Sequence, residues 1–89
     1  MQGYRIHFKS GCEVSDIRNL YRMTRLTLEE LRGRTRINVT CHHSVSDDGR
    51  TYEVNLDNPN ARDLAIAFIG TARRILGEDC CRVTPICQA

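Results

Sequence analysis

The stretch GEDCCRVTPICQA, running from Gly77 to Ala89, holds Cys80, Cys81 and Cys87, three of the chain's five cysteines. A cysteine thiolate can hold a soft metal, pair in a disulfide or attack an electrophile. Structural zinc usually takes four Cys or His ligands from short knuckles such as C-x2-C. The chain has no C-x2-C and no H-x3-H. Adjacent strand residues point to opposite faces, so Cys80 and Cys81 are expected to part. A thiol partner for either must come from elsewhere, and Cys12 is the one that a sheet could bring close. Cys12 and Arg18 also stand at C-x5-R spacing, the arrangement in which a loop thiolate attacks phosphorus while the arginine holds the phosphate. Glu13 and Asp16 in that loop would repel a dianion, which argues against phosphatase chemistry.

A second set of residues suits anion recognition. The thirteen basic residues are Lys9 and twelve arginines, and arginine forms bidentate contacts with carboxylate and phosphate that lysine does not. Arg18, Arg22, Arg25 and Arg32, at spacings of four, three and seven, share one side of a helix. Glu29 falls in the same stripe and offsets part of its charge. Met23 and Leu26 on that helix, with Ile66 and Ile69 on a later one, lie outside the buried stripes and are surplus apolar surface suited to a partner.

These residues must be placed by a small number of elements. YRIHFK alternates Tyr4, Ile6 and Phe8 against Arg5, His7 and Lys9, the period of a half-buried strand. Ser15 is expected to cap a first helix that buries Ile17, Leu20, Tyr21, Thr24, Leu28 and Leu31 and ends at Gly33. RINVTCHHSV reads as a second strand, with Ile37, Val39, Cys41, His43 and Val45 on one face. Asp48-Gly49 suits a hairpin turn into a third strand, TYEVNL. Asn58-Pro59 opens a second helix that buries Ala61, Leu64, Ala65, Phe68, Ala72, Ile75 and Leu76 and stops at Gly77. Pro85 places the last strand at a sheet edge.

The predicted order is βαββαβ, an α+β ferredoxin-like sandwich. Its four-stranded antiparallel sheet would have order 4-1-3-2, with two helices on one face. Residues 1–89 form one domain, with an ordered core over about 3–87. This topology brings Cys12 beside Cys80 or Cys81, a disulfide or metal site if the thiols have chemistry. It leaves His42 and His43 two strands away. The open sheet face is expected to show Arg5, His7, Lys9, Asn38, Thr40, His42, Glu53, Asn55, Arg82 and Thr84. That face is basic and polar but lacks the aromatic side chains on which single-stranded bases stack.

The longest apolar run, Leu64 to Ile69, is far short of the roughly 20 residues of a membrane span, and MQGYRIHFKS lacks the apolar core of a signal peptide. A cytoplasmic setting, no membrane association and reduced thiols are therefore expected. The net charge is only +2. No acid–base pair, nucleophile–base pair or phosphate loop stands out for catalysis. The sequence points to a small non-enzymatic binding or regulatory module without a cofactor. It would associate with an acidic or phosphate-bearing protein partner, or with a second copy of itself. Nucleic-acid binding by the arginine stripe and the basic sheet face is the alternative, and a thiol or metal site of Cys12 with Cys80 or Cys81 is the third reading.

Overall fold

The computed structural model describes residues 2–87, and residues 1, 88 and 89 of the expected domain lie outside the described residues. Strand β1 (Gln2–Phe8) alternates as its sequence requires, burying Ile6 and Phe8 and exposing Arg5 and His7. Helix α1 spans Val14–Arg32 and buries Ile17, Tyr21 and Leu28. Its N-cap is Glu13, without a side-chain cap bond, rather than Ser15. The first helical bond already runs from Ile17 N–H to the Glu13 carbonyl, so Ser15 is inside the first turn. Gly33, at φ 97°, ends the helix with its N–H on the Glu29 carbonyl.

The segment expected to be a long second strand folds differently. Helix α2 (Arg34–Thr40) takes its first part, and strand β2 is cut to His43–Val45. Ile37, Val39 and Cys41 fit a strand by parity, yet Ile37 and Cys41 are also i and i+4, one side of a helix. The structure buries that pair and leaves Val39 67% exposed. Distant side chains fix the choice by collecting the carbonyls that a helix end leaves open. Asn55 and Asn58 each donate a side-chain N–H to the Thr40 carbonyl, at 3.0 and 2.8 Å. Arg25 reaches the Cys41 carbonyl at 3.4 Å. Tertiary bonds thus override a local pattern that is ambiguous.

Strand β3 (Thr51–Asn55) follows a turn in which Gly49 has φ 75°. A β-carbon there would also stand 2.6 Å from the Val14 side chain, so the turn needs glycine for conformation and for space. Helix α3 (Pro59–Leu76) begins as expected, with the Asn58 side chain accepting the Ala61 N–H, and stops at Gly77. Strand β4 spans Cys81–Cys87. The sheet order is β2-β3-β1-β4 with every neighbour antiparallel. This is the expected strand order, in an α+β chain with three helices rather than two.

The inward strand residues Ile6, Phe8, Tyr52 and Val54 form one core with Ile17, Tyr21, Leu64, Phe68 and Ala72 of α1 and α3. Leu31 and Ile75 have the right angular position for the buried stripes but are 74% and 63% exposed. Both sit in the last turn of their helices, while Leu76, next to Ile75, packs against the core.

Candidate functional site

Tyr21 and Tyr52 are large aromatics with a polar end, and they settle where the core meets its rim. Tyr21 packs on Tyr52 and Phe68, with ring centroids 5.3 and 5.1 Å apart. Its other neighbour is His43 of β2 at 4.5 Å. These rings floor a groove between the first half of α1 and the β2–β3 hairpin. Arg18, Arg22 and Arg25 line its helical wall, and Val45 with Asp47 and Asp48 line the other. Burial raises the pKa of both tyrosines, against the pull of Arg25 on Tyr21 and of Arg18 on Tyr52. Their hydroxyls therefore stay protonated donors. Burial lowers the pKa of His43, with the Arg25 charge adding to it. The groove's positive charge is thus carried by its arginines.

The structure separates the four stripe arginines by what they touch. Arg25 bonds the Tyr21 hydroxyl at 3.2 Å and the Asn38 side chain at 3.1 Å, and lies 3.7 Å from the Glu29 carboxylate. Arg32 bonds Asn60 at 2.9 Å and Asp63 at 2.6 Å. Those two tie α1 to α2 and α3. Arg18 and Arg22 are exposed, and among the described residues neither has a hydrogen-bond or ion-pair partner. The stripe reduces to two available guanidinium groups, both on the groove.

The surplus apolar residues Met23, Leu26 and Ile66 are exposed as their positions require. Met23 and Leu26 border a shallow hollow beside Arg22, while Ile66 on α3 borders none of it. Ile69 is half-buried against the core.

The sheet-face residues also divide. Arg5 pairs with Glu53 on the neighbouring strand at 2.9 Å, and His7 bonds Thr51 at 2.7 Å. Lys9 and Arg82 gather with His7 around a hollow that also holds Glu78 and Asp79. His42 is exposed at the far end, beside Glu53 and Ile86. Three expected members are absent from the face. Asn38 and Thr40 lie on α2, and Asn55 is buried, with its side chain accepting the His42 N–H at 2.9 Å.

Cys12 and Cys80 do come together: the Cys12 thiol lies 3.7 Å from the Cys80 carbonyl, and both residues are buried. Burial pushes the Cys80 thiol up to about 11, with a hydrogen bond to the Cys81 thiol adding to it. The expectation that strand parity would part these two fails because Cys80 precedes β4, in a turn closed by its N–H on the Gly77 carbonyl. All three are free thiols, and a thiol with so high a pKa is a weak nucleophile at neutral pH. Among the described residues no three His, Cys, Asp or Glu side chains converge as metal ligands do. The C-x5-R pair does not assemble either, since Cys12 is buried against Cys80 while Arg18 faces the groove.

Two arginines, Arg50 and Arg25, act as clamps in a way that their sequence positions do not announce. Arg50 donates to the Lys9 and Cys12 carbonyls, both at 2.8 Å, holding the β1–α1 loop against the hairpin. Arg25 does the same for the end of α2. No local spacing marks either role. The ring contact of Tyr21 with His43 is also missed, although a tyrosine in a buried stripe signals where that stripe reaches water. No helix among the described residues is long and apolar enough to cross a membrane. No family model, curated protein or solved structure matches the chain.

Proposed function

We propose that this chain is a small, non-enzymatic, cytoplasmic binding module that associates with an acidic or phosphate-bearing protein partner in the groove between α1 and the β2–β3 hairpin. The observation that carries the reading is the state of Arg18 and Arg22. Among the described residues they are the stripe arginines without an internal partner, and they line a groove whose floor includes Tyr21, His43 and Tyr52. A guanidinium beside partly dry walls favours a carboxylate or phosphate over water more than one on an open helix does. Met23 and Leu26, exposed beside Arg22, supply apolar contact at the rim. We read the architecture as a ferredoxin-like sandwich carrying one inserted helix, α2, because the strand order and antiparallel pairing agree with that plan.

The test is fluorescence anisotropy with labelled acidic and phosphoserine-containing peptides. Arg18→Glu with Arg22→Glu should weaken binding at least about tenfold, or about 1.4 kcal/mol. The melting temperature should hold, because among the described residues neither has an internal partner to lose. Unchanged affinity in the double variant would remove the groove from the function. Tighter binding to DNA or RNA, falling steeply with salt, would move the module to the nucleic-acid class.

A further inference from the structure

Resting on that reading, we infer that the partner enters as an extended acidic segment which adds to the free edge of β2 as a fifth strand. Ser46 N–H bonds the Thr51 carbonyl, and Asn55 N–H bonds the His42 carbonyl. With His43 opposite Val54 and Val45 opposite Tyr52, residues 42, 44 and 46 face β3. The alternation of an antiparallel ladder then turns the N–H and C=O of His43 and Val45 outward. The chain thus offers two donors and two acceptors to an incoming strand. Among the described residues β2 ends the sheet on this side, and β3 is the strand paired with it.

The groove decides what that strand carries. Residues lying opposite His43 and Val45 project to the same face as those two, toward α1. Val14 stands against the turn at Gly49, and Tyr21 stands against His43, so α1 runs along β2 with Arg18 and Arg22 following in sequence. Two residues along a strand advance about 6.7 Å, and four along a helix advance about 6 Å. An acid–x–acid segment therefore places its two carboxylates in step with Arg18 and Arg22. At the hairpin end, Asp47 adds a negative charge, while the Asp48 carboxylate is turned back onto the Ser46 hydroxyl and the Arg50 N–H. The segment's residue there is neutral or basic.

Three labelled peptides on the wild-type protein test this. One alternates Glu and Thr, one has the same composition with the glutamates contiguous, and one is the alternating peptide N-methylated at its two central Glu amides. The alternating peptide should bind best, the contiguous one several-fold more weakly and the N-methylated one at least tenfold more weakly. Val45→Pro, which removes an outward donor at a position where an edge strand tolerates proline, should weaken the alternating peptide to the same degree.

Equal binding of the N-methylated peptide would overturn strand addition even if Val45→Pro failed to fold. It would leave the groove reading intact provided that Arg18→Glu with Arg22→Glu still abolished binding. Indifference to that double variant would remove both. Failure of every peptide to bind would also overturn strand addition. So would a dimer in sedimentation that Val45→Pro splits, since a second copy would then occupy the edge.

Discussion

The sheet has two edges, and they are built to opposite rules. β4 is seven residues long and pairs with β1 along its whole length. Lys9 N–H bonds the Cys80 carbonyl, so alternation turns Cys81, Val83, Pro85 and Cys87 outward. Pro85 stands at one of those outward positions, where it breaks no bond to β1 and takes one donor away from any intruding strand. β2 is three residues long, and both of its outward residues keep their N–H groups. Exposed edges invite pairing, and proteins close them with proline, charge or brevity. Here proline guards the long edge, while the short edge is limited by brevity alone and keeps its outward donors beside Arg18 and Arg22.

The contrast can be broken most severely at Asn55, whose buried side chain joins the end of α2 to the start of β2. Asn55→Ala leaves the His42 N–H without its partner and should cost about 2 kcal/mol. Hydrogen exchange should show the amides of β2 losing protection before those of β1; equal protection in both would separate Asn55 from the edge.

A smaller effect follows from His43. Its protonated form is disfavoured in the folded chain by burial and by Arg25, so the unfolded chain binds the proton more readily. Stability from this group is complete above about pH 6.5, the ordinary histidine value, and is lost as pH falls below it. His43→Gln should flatten the dependence of melting temperature on pH over that range, and an unchanged slope would assign it to other groups.

Smallest in free energy is Pro85→Val, which restores the missing donor at an exposed site. Stability should move by no more than about 0.5 kcal/mol. Sedimentation should nevertheless show new self-association, and a variant that stays as dispersed as the parent would mean that Pro85 does not guard the edge.

Local punctuation is legible in the amino-acid order alone. Asn58, Gly33, Gly77 and Pro85 each act where their backbone chemistry places them, and those signals with strand parity lead to the observed strand order. Helix α2 is not legible in the same way, because Ile37 and Cys41 satisfy both the strand and the helix period. The deciding donors are Arg25, Asn55 and Asn58, 15 or more residues away from the carbonyls they cap. The arginine stripe is visible as a stripe. Which of its members are available is not, since Arg32 is occupied by Asn60 and Asp63 on another helix. Cys12 meeting Cys80 follows from strand order; Cys80 meeting Cys81 does not, because a turn suspends strand parity.

The brevity of β2 also governs time. Hydrogen bonds formed in water contribute a net of about 1 kcal/mol each, so a full set along three residues yields about 4 kcal/mol, a millimolar affinity. Ion pairing with Arg18 and Arg22 must supply the rest, and charge acts chiefly on how fast partners meet. An association assembled from a short ladder and two cations forms quickly and releases quickly. Strand addition at a three-residue edge, as proposed, would be of brief residence and responsive to changes in a partner's charge.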